Sequence, residues 1–170
     1  KCIVNSRKEC NTSCTLGSHT FDMPVIAANM ASVVDIETCK LFTSKKWFYV
    51  MHRFNVDTLS FIHEMKLNKY IASISIGVNE LDERLVRDMH NACQIPDFIT
   101  LDIAHGWSPK CERMIKLIKD TFGEDVFLIA GNIATPEAVI DLESWGADAT
   151  KCGIAGGKVC ITKNKTGFHI

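Results

Sequence analysis

The 170-residue chain carries almost no net charge, with 19 basic residues against 20 acidic ones and a formal balance of −1. That leaves no broad electropositive field, and no run of Lys or Arg alternates with aromatic residues, which argues against nucleic acid as a partner. No uninterrupted apolar run reaches the ~18 to 20 residues that a bilayer span requires, and the N-terminus lacks the charged start and apolar stretch of a secretory signal. These absences point to the cytosol and to no membrane partner. The eight cysteines, Cys2, Cys10, Cys14, Cys39, Cys93, Cys111, Cys152 and Cys160, lack the paired spacings of a disulfide framework or a zinc site. A reducing compartment fits that pattern. No linker or low-complexity tract divides the chain, and its first residue is Lys1 rather than Met, which keeps a processed product or a fragment in view.

What is present is a core. With 46% hydrophobic residues the chain can bury one, and it reads as a single domain over 1–170. Short runs rich in Val and Ile predict strands at 25–30, 47–53, 70–77, 98–104, 126–132 and 149–154. They are too uniformly apolar for half-exposed antiparallel strands, and most precede a helical pattern, the signature of a buried parallel sheet. Ser108-Pro109 and Thr135-Pro136 each set an N-cap before a proline at the first helical position. Asp57 and Asn79 are further helix starts, and Gly146 suits a helix C-terminus.

Repeated βα units form either an open doubly wound sheet or a closed (β/α)8 TIM-type barrel. The first expected strand, Val25-Ile26-Ala27-Ala28-Asn29-Met30, is not followed by the G-x-G-x-x-G of a dinucleotide-binding open sheet. Polar residues gather instead at strand C-termini: Asn29, His52 with Arg53, Ser75, Asp102 with His105, and Asn132. A barrel brings all those ends around one mouth. A full barrel takes about 250 residues, so this chain is expected to supply about six of its eight units, incomplete at the C-terminus.

Among candidate sites the richest stretch is Lys151-Cys152-Gly153-Ile154-Ala155-Gly156-Gly157-Lys158-Val159-Cys160-Ile161-Thr162-Lys163. Three glycines in five positions allow a backbone bent around something small, with amides and carbonyls uncovered. A typical cysteine is a small buried hydrophobe, but Cys160 ends a glycine loop between Lys158 and Lys163, surroundings that favour a thiolate. Thr162 is close enough in sequence to pass a proton. The loop is one residue short of a P-loop and has Val159 where Ser or Thr is required, so a nucleoside triphosphate site is rejected. Carbonyls at Ala155, Gly157 and Cys160 could hold a hard monovalent cation, although spacing alone supports this weakly. Asp102-Ile103-Ala104-His105-Gly106 is either a polar βα turn or a ligand-binding strand end, and Ser6-Arg7 alone is an ordinary solvated pair.

The chain closely resembles the IMP dehydrogenase/GMP reductase barrel superfamily. The resemblance is carried in order by Ile3-Val4-Asn5-Ser6-Arg7, Pro24 to Met30, Tyr49-Val50-Met51-His52-Arg53, Ile71 to Gly77, Asp102 to Gly106, Ala130-Gly131-Asn132, Gly146-Ala147-Asp148 and the cysteine loop. Within the superfamily the Asp-x-Ala-x-Gly run at Asp102 and the Lys-Thr-Gly run at Lys165 look like the reductase branch. That branch converts GMP to IMP and ammonia with NADPH in purine nucleotide salvage, through a covalent cysteine thioimidate. By resemblance Cys160 is the nucleophile and Thr162 the proton-transfer residue. The cofactor would lie near Ser6, Arg7, Arg53, Asp102, Ile103, Ala104, Ile154 and Ala155. Potassium would be held by Ala155, Gly157, Cys160 and Lys163, largely through backbone oxygens, and a full-length protein would form a homotetramer.

Two departures stand out. The family loop usually reads Gly-Ile/Val-Gly-Pro-Gly, whereas here Ala155 replaces a glycine, and Cys152 replaces the usual valine. By resemblance the phosphate-binding loops and a flap with a catalytic glutamate would follow Ile170. The competing expectations are IMP oxidation with NAD and a truncated paralogue that has lost catalysis.

Overall fold

The computed structural model describes residues 3–157 together with Cys160 and Lys165. Its first strands form a hairpin, β1 (Cys14–Leu16) and β2 (His19–Phe21), paired antiparallel with Leu16 opposite His19. Gly17 begins the two-residue turn at φ +57, and a Cβ there would meet the Phe127 ring at 2.8 Å. A turn residue with positive φ and no side chain satisfies both constraints.

The main sheet is parallel, with β3 (Ser73–Ile76), β4 (Phe98–Asp102), β5 (Phe127–Ile133) and β6 (Ala149–Cys152) neighbouring one another in chain order. Met51 adds a parallel bridge to Ile74 on the far side of β3. The order never reverses, as it would at the switch point of a doubly wound sheet, so the sheet is an arc of a (β/α)8 barrel.

Helices α1 (Ile36–Ser44), α2 (Thr58–Leu67), α3 (Glu80–Asn91), α4 (Pro109–Phe122) and α5 (Pro136–Trp145) begin where their sequences provide caps. Asp35, Asp57, Asn79, Ser108 and Thr135 each accept a backbone N–H of the first turn, and Asn79 and Asp82 complete a capping box. α5 ends at Gly146 in the left-handed region. α4 buries Met114, Ile115, Ile118 and Phe122 against the outward face of the sheet, where Ile99, Leu101, Leu128 and Ala130 point. Each such side chain contributes roughly 1.5–3 kcal/mol. The opposite face carries Phe98 and Ile129, which pack with Phe21, Phe48 and Val50 beneath the hairpin. The alternation along β4 therefore directs Asp102, like Phe98 and Thr100, to the inner face.

Two expected strands need correction. Residues 25–30 form no ladder, and Val25, Ile26 and Met30 are 63%, 52% and 54% exposed. The amide of Met30 bonds to Ala28 O, and those of Val33 and Val34 bond to Met30 O, so turn bonds take up groups that a ladder would use. Residues 47–53 lie beside β3 with Phe48, Tyr49, Val50 and Met51 buried, but ladder bonding is confined to Met51, which donates to Ser73 O and accepts from Ser75 N. The hairpin, built from three-residue strands, was not expected.

Candidate active site

The C-terminal ends of β4, β5 and β6 are joined by backbone and side-chain bonds. Past β4, Ile103 N donates to Gly131 O and Ile103 O accepts from Asn132 N, while Gly106 N donates to Asn132 O at 2.7 Å. A Cβ at Gly106 would come within 2.9 Å of the Gly131 carbonyl carbon, so the loop rests directly on β5. Asn132 Nδ2 then donates to Gly153 O at 2.8 Å, and Gly153 N donates to Ile133 O at 2.7 Å. The start of the cysteine loop is thus fixed from β5 on both sides.

Within the loop the backbone turns at Gly153, φ +115, and at Ala155, φ +53, around a buried Ile154. The left-handed conformation at Ala155 costs its methyl roughly 1–2 kcal/mol, as expected from the departure noted in the sequence. Cys160 is partly buried, and its amide donates back to Gly157 O at 3.0 Å. A Cβ on Gly157 would stand 3.6 Å from that of Cys160. Thr162 and Lys163, expected in proton transfer and cation binding, lie outside the described residues.

Across the mouth, Lys151 Nζ donates to Asp102 Oδ1 at 3.3 Å and to Asn29 Oδ1 at 3.1 Å. The Arg53 guanidinium lies over the Phe54 ring at 5.0 Å, and its Nε is buried with no hydrogen-bond partner among the described residues. Beneath it, Gly77 N donates to Asp82 Oδ1 at 3.0 Å. Ser6 Oγ caps an exposed 3-10 turn, Arg7–Glu9, by accepting Lys8 N. Among the described residues no hydrogen bond or ion pair joins Ser6 or Arg7 to Arg53, Asp102 or the cysteine loop.

The structure thus places Asp102, Ile103 and Ala104 at the end of β4 and Ile154 and Ala155 just after β6, linked through Asn132, with Cys160 further along the same loop beside Gly157. Sequence reasoning gave Lys151 no role; the signal available was a lone charge inside an apolar strand pattern. Two other thiols are unsuited to nucleophilic work, because burial pushes Cys39 up to about 12 and Cys111 up to about 11. No helix among the described residues is long and apolar enough to cross a membrane.

Comparison with known proteins agrees with this geometry. Residues 3–170 match the model of the IMP dehydrogenase / GMP reductase domain. The chain is 56% identical over 167 residues to the GMP reductase of Mesoplasma florum, covering 98% of this chain and 52% of that protein. It is 54% identical over 169 residues to the GMP reductase of Chromobacterium violaceum, covering 99% and 53%. The crystal structure of inosine 5′-monophosphate dehydrogenase from Legionella pneumophila superposes with a TM-score of 0.82 at 31% identity, over 98% of this chain and 51% of that one. The chain spans about half the length of the curated relatives it matches. A sheet in barrel order, a glycine-cysteine loop tied to β5 and a family match over nearly every residue lead to one conclusion: the chain belongs to the IMP dehydrogenase / GMP reductase domain family.

Proposed function

We propose that the chain is the nucleophile-bearing portion of a GMP reductase. The observation that carries this reading is the 50–56% identity to proteins named GMP reductase over 98–99% of the chain, against 31% to the dehydrogenase structure. The Cys160 thiolate attacks C2 of the purine of GMP, a C–S bond forms, and the 2-amino group leaves as ammonia, giving a thioimidate. Bound at the mouth, NADPH would supply a hydride for C2; loss of the C–S bond would restore the Cys160 thiolate and release IMP. Thr162 relays the proton that the departing amine takes up.

Several observations support the assignment of the remaining groups. Among the described residues the buried Nε of Arg53 has no hydrogen-bond partner, which leaves a donor for a polar group of the cofactor. Asp102, Ile103 and Ala104 belong to the strand end and loop that Gly106 presses onto β5, and Asn132 links that loop to Gly153, next to Ile154 and Ala155. Ser6 and Arg7 complete the cofactor set in this proposal. The donors for a potassium ion are carbonyl oxygens of Ala155, Gly157 and Cys160, with Lys163, and hard oxygen ligands match that ion. The backbone turns at Gly153 and Ala155, both at positive φ, just ahead of these carbonyls. The assembled protein is proposed to be a homotetramer.

The test is steady-state turnover of the complete gene product. With GMP and NADPH it should oxidise the cofactor and release IMP, and Cys160→Ala should abolish this. IMP oxidation with NAD as the favoured direction would move the assignment to the dehydrogenase branch; no turnover in either direction would support an inactive paralogue.

A further inference from the structure

Asp102, Gly131 and Lys151 lie opposite one another in the register of three adjacent strands. Neighbouring strands are about 4.8 Å apart, so the backbones of Asp102 and Lys151 are separated by roughly 10 Å, within the combined reach of an extended lysine and an aspartate. The position between them has no side chain, and one could not be added: a Cβ on Gly131 would stand 2.6 Å from Lys151 Cβ and 2.7 Å from Lys151 O. Gly131 is a notch through which the lysine stem crosses the middle strand. At its far end the ammonium meets both Asp102 Oδ1 and Asn29 Oδ1. Asn29 belongs to the 25–30 segment, which has no ladder of its own.

We infer that Lys151 is a positioning residue that holds the Asp102 carboxylate and the Asn29 segment in place at the barrel mouth for the nicotinamide cofactor. A partly exposed ion pair adds little to folding stability, so its effect falls on orientation. A lysine suits this work because a flexible stem delivers a compact charge with three donors, and two of these are used here. The inference rests on the reductase reading for the identity of the cofactor, but not for the clamp itself.

The experiment compares Lys151→Met and Lys151→Arg in the complete protein. In Lys151→Met the KM for NADPH should rise roughly tenfold while kcat stays within about threefold, the pattern of lost binding alignment. Fluorescence titration of NADPH in a Cys160→Ala background should show the same weakening without turnover. Lys151→Arg should recover at least half of the loss on a logarithmic scale. Amides of residues 25–31 should exchange hydrogen faster in Lys151→Met with no cofactor present. An unchanged NADPH KM, a fall in kcat alone, or Arg behaving like Met would overturn the positioning role. If the wild-type protein neither binds nor oxidises NADPH, the reductase reading falls separately, and unaltered exchange at 25–31 would then overturn the clamp.

Discussion

Asn132, at the end of β5, donates through Nδ2 to the carbonyl oxygen of Gly153 at 2.8 Å, tying the first turn of the cysteine loop, which follows β6, to the neighbouring strand β5. The same residue's backbone bonds to Ile103 and Gly106, so one asparagine links the β4, β5 and β6 ends. Asn132→Ala removes the side-chain bond and leaves the backbone bonds. Turnover of the complete protein is expected to fall roughly 10- to 100-fold, since small misplacements of a reacting group have costs of that size. The melting temperature should change by less than about 4 °C, given a net value near 1 kcal/mol for one hydrogen bond. Parallel kinetics and thermal melts check this, and a loss of stability without a loss of turnover would oppose it.

Ala155 carries the strain of the loop, at φ +53. Ala155→Gly removes a penalty of roughly 1–2 kcal/mol and adds about 0.5–1 kcal/mol of unfolded-state entropy, so a small net gain is expected. The melting temperature should rise by roughly 1–3 °C, whereas Ala155→Val, β-branched at positive φ, should lower it. Thermal melts of the two variants should therefore move in opposite directions.

The legible parts of the fold were the local ones. Ser108-Pro109 and Thr135-Pro136 fix α4 and α5 because cap and proline act within a single turn. β3, β4 and β5 could be read because strands covered on both faces are largely apolar. Residues 25–30 have the same composition, but a ladder depends on partners that a run of apolar residues does not specify. The hairpin escaped notice because its strands have only three residues each and one of its turn positions is a serine. Asp102 was readable as a carboxylate at a strand end and Cys160 as a thiol ending a glycine loop. The clamp was not, because Lys151 reaches Asp102 only through a missing side chain at Gly131, a relation among three strands.

Cysteine reactivity should sort by burial. Cys39 and Cys111 are fully buried with thiol values pushed up to about 12 and about 11, so both remain protonated at pH 8. The exposed Cys10, Cys93 and Cys152 should be alkylated by iodoacetamide in the native protein, while Cys39 and Cys111 react only in denaturant. Peptide mass spectrometry at pH 8 distinguishes them, and native labelling of Cys39 would contradict the packing described.

Asp35 and Asp57 cap α1 and α2, and hydrogen bonds from Thr38 and Ser60 hold both carboxyls below the usual value of 3.8. A depressed folded value stabilises the charged form, so the contribution is present above about pH 4 and lost as pH falls through the lower folded value. The urea midpoint should therefore decline from pH 4 to pH 2.5. Asp35→Asn with Asp57→Asn keeps the caps without the titration and should flatten part of that decline. An identical slope in the double variant would count against the caps as its source.

The most direct test of the account is whether Cys160 bonds to the purine. The complete protein is incubated with GMP without NADPH, or with IMP and NADP+, quenched by denaturation and digested for mass spectrometry. The account expects a purine nucleotide adduct on the peptide containing Cys160, absent in Cys160→Ala, with reduction of GMP lost in the same variant. Undiminished formation of IMP from GMP by Cys160→Ala would contradict it.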